Sequence, residues 1–217
     1  MTRTDRRLVL ATRNPAKVVE LREILAESLA GAGLELVGLD AFSGLEDVVE
    51  SGVTFADNAL LKARYAASAT GLPALADDSG LAVDVLGGAP GVFSARWAGP
   101  LAEATGVPVD EANNTLLLAQ LGDVPDEHRG AAFVCAAALV VPQGWARVGG
   151  EEVVRLGECR GVLAREPRGT HGFGYDPLLV RPDGRTLAEH TAAEKHVVSH
   201  RGEAFRALAQ DVRTLLT

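Results

Sequence analysis

Leu8-Val9-Leu10-Ala11-Thr12-Arg13-Asn14-Pro15-Ala16-Lys17 reads as a short buried strand running straight into a helix. Leu8 to Ala11 supplies the strand, Asn14 is a good N-cap, and Pro15 suits the first helical position. Val18, Leu21, Leu25 and Leu29 then keep helical spacing, and Gly31 to Gly33 ends the helix. Outward from this corner, Leu34 to Leu39 is the next strand. Thr54 caps a second helix, with Asp57 placed to reach back to it, running to about Gly71. Ala74 to Val85 reads as extended with a polar break at Asp77-Asp78-Ser79-Gly80, and Asp110 opens a helix through Leu121. Ala131 to Val141 is too continuously apolar to be half exposed, and Val153 to Leu163 is a further strand. Turn-rich Pro142 to Gly150 between them predicts a hairpin. Thr191 to Glu194 forms a capping box, and Ser199 caps a last helix with the apolar face Phe205, Leu208, Val212 and Leu215 or Leu216. This order predicts an α/β protein with a mixed sheet flanked by helices.

Composition narrows the function. A net charge of −8 opposes sequence-independent nucleic-acid binding, which needs a basic footprint, yet a local cation cluster can still hold a nucleotide. Two cysteines, Cys135 and Cys159, suit free thiols in a reducing compartment better than a disulfide. The basic start Met1 to Arg7 precedes an apolar run of only Leu8 to Ala11, too short for a signal peptide or a membrane span. A cytoplasmic protein of one domain, residues 1–217, that binds no membrane is expected.

Lysine is nearly absent: of 21 Lys plus Arg, only Lys17, Lys62 and Lys195 are lysines. Each sits in a polar cluster, and lysine offers a compact, mobile charge where arginine offers a planar fork. Lys17 lies in a helical first turn, where a cation is unfavourable by up to ~1 kcal/mol. An anion bound by both lysine and helix end would explain it, and a solvated surface lysine is the plain alternative. Asn58 and Lys62 share a helix face with Tyr65, which could equally be wet. Asp77 and Asp78 are adjacent in an extended stretch, so they point to opposite faces. Carboxylates near a packed sheet need cations or donors to stay ionised. Magnesium on a triphosphate fits, since it takes only one or two protein carboxylates; a turn with capping aspartates is the alternative. Gly172-Phe173-Gly174-Tyr175-Asp176-Pro177 combines close backbone approach with a flat aromatic surface, as a base-binding loop would. No Gly-x-x-x-x-Gly-Lys-[Ser/Thr] loop, HExxH pattern or nucleophile elbow occurs, so water is the expected nucleophile.

Together, Ala11 to Lys17, Thr54 to Ala59 with Lys62-Ala63, Ala76 to Leu81, Ser94 to Trp97, Gly172 to Pro177, Glu194-Lys195 and Ser199 to Gly202 resemble the inosine/xanthosine triphosphate pyrophosphatase family of the RdgB type. His171, where a glycine is common, and Cys159, where tryptophan often stands, depart from that pattern. The resemblance implies an elongated mixed sheet with helices, two lobes around a nucleotide-binding cleft, and a homodimer. It implies hydrolysis of ITP, dITP and XTP to the monophosphate and pyrophosphate, with Mg2+ as cofactor. Thr12, Arg13, Asn14, Pro15, Ala16, Lys17, Asn58, Lys62 and Ser79 would then bind the triphosphate. Asp78 would be the catalytic carboxylate, with Asp77 and Glu50 completing the metal site; Glu46 could replace Glu50. Phe173 would stack on the base, and Gly174, Tyr175, Asp176, Lys195, His200 and Arg201 would surround the base or phosphates. A relative acting on other modified nucleotides and a non-catalytic nucleotide sensor remain as alternatives.

Overall fold

β1 (Arg7–Leu10) lies between two parallel neighbours and is buried on both faces, Leu8 and Leu10 in one cluster with Leu21 and Phe205 and Val9 in another with Ala59 and Ala63. A strand covered in this way reads as a continuous apolar run. The computed structural model describes residues 6–145 and 150–217. After β1 come α1 (Pro15–Ile24) and α2 (Ala26–Ala32), where the sequence predicts one helix. The interruption is at Leu25 (φ −95°, ψ 3°), and α2 closes on Gly33 at φ 62°, whose N–H meets the carbonyls of Leu29 and Ala30. β2 (Glu35–Gly38) pairs with β1 in the register Leu8↔Leu36. α3 (Phe55–Thr70) carries the expected capping box, Thr54 with Asp57, and ends at Gly71.

β3 (Ala74–Val83) joins β1 through Val9↔Ala74 and Leu10↔Leu75. The expected polar break does not occur, because the strand runs unbroken through Asp77-Asp78-Ser79-Gly80. A Cβ at Gly80 would stand 2.3 Å from Ser94 Oγ, so this crossing admits only glycine. There follow α4 (Leu101–Thr105), α5 (Val109–Gln120), β4 (Gly130–Val140), β5 (Glu152–Leu163), β6 (Leu179–Val180), α6 (Ala192–Val198) and α7 (His200–Leu216). The six strands form one sheet in the order β2-β1-β3-β4-β5-β6. β6 is antiparallel to β5, so the sheet is mixed, as the element order predicts. The hairpin expected over 142–150 falls partly on 146–149, outside the described residues. Beside it, Val141 N–H donates to Glu151 O and Gly150 N–H to Val141 O, both at 2.9 Å.

The chain divides into two compact units, Met1–Asp78 with Cys135–Gly157 and Arg201–Thr217, and Ser79–Val134 with Glu158–His200. The first packs Leu21, Leu25 and Leu29 against Phe205, Leu208 and Val212 on one side of its strands, and Ala59, Ala63 and Ala66 of α3 in a second cluster. The alanines of α3 let it lie close to the strands. The second unit is centred on Leu81, Leu117, Phe133, Tyr175 and Leu178. Cys135 and Cys159 are buried and not joined in a disulfide. Among the described residues no helix is long and apolar enough to cross a membrane.

Candidate active site

In the first unit, the pleat of β3 sends Asp77 and Asp78 to opposite faces, and each meets a different set of cations. Asp77 is buried and takes Lys17 Nζ on Oδ1 at 2.5 Å and Arg201 Nε on Oδ2 at 3.2 Å. Asp77 is thus an anion of this chain that Lys17 meets from the first turn of α1. Asp78 accepts from Asn58 Nδ2 at 3.0 Å and lies 3.5 Å from Lys62 Nζ, both on α3. Lys62 also holds Glu50 at 2.6 Å, so Glu50 is the loop carboxylate that shares a cation with Asp78. Asn58 is wholly buried, and its Oδ1 accepts from Gly52 N–H at 2.7 Å. One amide thus ties the loop bearing Glu50 to the strand bearing Asp78. A Cβ at Gly52 would meet Asn58 Oδ1 and Asp57 Cβ at 2.6 Å, which explains the glycine.

These contacts drive the adjacent carboxylates apart electrostatically. Burial alone would raise the pKa of Asp77, but the charges of Lys17 and Arg201 outweigh it and hold the carboxyl well below the usual range. For Asp78 burial wins: its pKa is raised, with Glu50 adding to the rise and Lys62 and the Asn58 hydrogen bond opposing it. Burial pulls Lys62 down, yet the Glu50 hydrogen bond and the nearby carboxylates leave its pKa raised. The two neighbouring carboxyls are thus held in opposite electrostatic states.

The corner between β1 and α1 is built as expected. Asn14 Oδ1 accepts from Lys17 N–H at 3.4 Å, Thr12 Oγ1 from Asn14 N–H at 3.2 Å, and Pro15 opens α1. Arg13 is turned onto the following loop, with its Nε 3.1 Å from Asp47 Oδ1 and an Nη2 bond to Leu45 O. Ser79 follows Asp78 on β3, half-buried. The side chain of Ala16 is outside the described residues.

In the second unit, Phe173 is 69% exposed at the tip of a loop whose other groups are tied down. Asp176 Oδ2 accepts from Phe173 N–H at 2.9 Å and from Lys195 Nζ at 2.5 Å. Lys195 Nζ also lies 5.0 Å from the centre of the Phe173 ring, a cation–π contact. Gly172, at φ 82°, cannot be replaced, because a Cβ would fall 2.1 Å from Asp176 Oδ2. His200 stacks on Phe133, with ring centres 5.1 Å apart.

A model of the Ham1 family matches residues 8–211. The chain belongs to the Ham1 family. It is 62% identical over 213 residues to a dITP/XTP pyrophosphatase of Frankia alni, covering 97% of this chain and 99% of that one. It is 59% identical over 212 residues to the dITP/XTP pyrophosphatase of Streptomyces coelicolor, covering 97% and 98%. The solved Mycobacterium abscessus nucleoside-triphosphatase / dITP/XTP pyrophosphatase superimposes with a TM-score of 0.76 at 52% identity, over 93% of this chain and 97% of that one. The Staphylococcus aureus Ham1 protein does so with a TM-score of 0.81 at 33% identity, over 96% and 98%.

Against this Ham1 framework, three expectations from sequence need restating. Asp77, expected in the metal site, has each of its oxygens paired with a cation of this chain, Lys17 and Arg201, and among the described residues shares no cation with Glu50. Asn58 enters as a positioning residue, its amide oxygen held by Gly52 and its nitrogen by Asp78. Tyr175 is core rather than base lining: it is buried, its hydroxyl donates to Ser94 O at 2.9 Å, and burial pushes its pKa up. Sequence reading overlooked Glu20, 3.8 Å from Arg201 Nη1, and the α5 side chains that reach the Phe173 loop. Spacing carries no signal for either, since the partners are far apart along the chain.

Proposed function

We propose that this Ham1 chain hydrolyses non-standard purine nucleoside triphosphates, ITP, dITP and XTP, to the monophosphate and pyrophosphate. The observation that carries the mechanism is the opposite electrostatic state of Asp77 and Asp78. Asp78, with its raised pKa, accepts the proton of the attacking water. The water oxygen bonds to the α-phosphorus, the bond from that phosphorus to the β-bridging oxygen breaks, and pyrophosphate leaves. Lys17, Lys62 and the N-terminus of α1 face the phosphate charge, with Asp77 holding Lys17 and Arg201 in place.

Glu50 and Asp78 converge on Lys62, so two carboxylates already share one cation, a donor set of the hard-oxygen kind magnesium uses. Magnesium takes only one or two protein carboxylates and fills its other positions with water and substrate phosphates. When bound there, Mg2+ would neutralise phosphate charge. A cytoplasmic homodimer is part of the same proposal.

For the base, Phe173 offers its exposed face and Lys195 a donor beside that ring. Lys195 is held by Asp176 and Arg201 by Asp77 and Glu20, and each cation keeps further N–H donors for a 6-oxygen. Hypoxanthine and xanthine accept there, whereas adenine presents a second donor. An unmet buried polar group costs about 1–3 kcal/mol, or roughly 5- to 150-fold. Turnover of an ITP, XTP, dITP, ATP and GTP panel, with pyrophosphate and phosphate measured separately, should place the first three well ahead. Comparable kcat/KM for GTP and ITP would sink the substrate assignment even if pyrophosphate were the product.

A further inference from the structure

α5 presents two polar side chains to one residue of the Phe173 loop, at the two peptide groups that flank it. Asp110 Oδ2 accepts from Gly174 N–H at 2.7 Å, and Asn114 Nδ2 donates to Gly174 O at 3.0 Å. Gly174 is therefore gripped at both its donor and its acceptor. It lies between Phe173 and Tyr175, at φ 60°, and no Cβ there would meet anything within 4 Å. The space a side chain would enter is open, and hydrogen bonds from α5 hold the residue's backbone. Asp110 lies in the first turn of α5, where its carboxylate could serve its own helix, yet it reaches across to Gly174.

Asn114 is the more telling of the pair. It is only 7% exposed, and its Oδ1 is buried with no hydrogen-bond partner. An unpaired buried acceptor costs stability, so packing alone would favour an apolar side chain of the same volume. What asparagine adds here is the Nδ2 bond to Gly174 O. Neighbouring Asn113 is spent differently, accepting from Ala98 N–H at 2.7 Å and donating to Ser94 O at 3.3 Å. Ser94 O is also the acceptor of Tyr175 Oη, so α5 supports the loop indirectly on that side as well.

We propose that Asp110 and Asn114 are positioning residues for base recognition, fixing the peptide groups on either side of Gly174 and through them the Phe173 ring. This deepens the proposed function and rests on Phe173 being the platform for the base. The triphosphate groups do not depend on this pair, so loosening Gly174 should weaken base binding and leave phosphate binding intact.

The experiment compares Asn114→Leu and Asp110→Ala with wild type in ITP hydrolysis, in inhibition by inorganic tripolyphosphate, and in amide hydrogen exchange at Gly174. Each variant should raise KM for ITP by roughly 3- to 10-fold, the worth of one hydrogen bond, with kcat nearly unchanged. Tripolyphosphate, which has no base, should inhibit as it does wild type, and Gly174 should exchange faster. Because both variants loosen the same residue, Gly174, their effects should not multiply in the double variant. A purely structural role would lower the melting temperature and leave the KM to tripolyphosphate comparison flat, which overturns the proposal. If Asn114→Leu fails to fold, Asn114→Asp, which sets a carboxylate against Gly174 O, is read in the same way. Absence of ITP cleavage by wild type would instead defeat the functional reading. The positioning role is then decided by Gly174 exchange, unchanged exchange in the variants overturning it.

Discussion

Asp78→Asn should lower kcat for ITP by at least ~10²–10⁴-fold, the range a lost general base accounts for, while the fold survives. The substitution keeps size and can keep the hydrogen bond from Asn58 Nδ2, but it removes the proton acceptor. The stability expectation follows from the sign of the shift. The folded-state pKa of Asp78 is raised, so its stabilising contribution is present at low pH and lost as pH rises through that folded value. At neutral pH the ionised carboxylate is the costly form, and a neutral amide relieves that cost. Thermal unfolding of Asp78→Asn should therefore show an unchanged or higher midpoint alongside the lost turnover. In wild type, the acid limb of kcat/KM should have its midpoint above the ordinary aspartate value of about 3.9. Near wild-type turnover in Asp78→Asn would assign the proton transfer to another group.

The adjacent residue should behave in the opposite way. Asp77→Asn removes the negative charge shared by Lys17 and Arg201, taking from Lys17 its 2.5 Å partner and leaving Arg201 with Glu20 at 3.8 Å. Breaking such a pair by removing one partner costs about 3–5 kcal/mol, which for a chain of this size is a fall in Tm of roughly 6–20 °C. The pKa of Asp77 is depressed in the folded state, so its contribution is present above the unfolded value and lost as pH falls through the folded one. Wild type should lose stability below about pH 4, and the variant should lack much of that acid dependence. Denaturant unfolding at neutral and acid pH measures both. A loss below about 1 kcal/mol would show that Lys17 and Arg201 are held by something else.

How far these residues could be read in advance depended on distance along the chain. The βα corner at Asn14-Pro15 and the Thr54–Asp57 and Thr191–Glu194 capping boxes are local, written within four residues, and form as the sequence predicts. The second unit has another such box at Thr186 and Glu189, passed over because it caps only the single turn Leu187–Glu189. The opposite facing of Asp77 and Asp78 also follows from strand alternation. Their partners do not: Lys17 and Arg201 reach Asp77 from α1 and α7, and no periodicity announces that convergence. The supposed break at Asp77-Asp78-Ser79-Gly80 failed for the same reason. A polar run looks like a turn until the cations that allow it to stay inside a sheet are in place. Asn58 and Tyr175 likewise show that a polar residue inside a family motif can be spent on the protein rather than on a ligand.

The central claim is that water attacks the α-phosphorus. ITP hydrolysed in water enriched in oxygen-18, with products separated and weighed by mass spectrometry, tests it most directly. The account predicts IMP carrying one labelled oxygen, unlabelled pyrophosphate and little IDP. Label in free phosphate, with IDP accumulating, would contradict it and make this chain a γ-phosphatase.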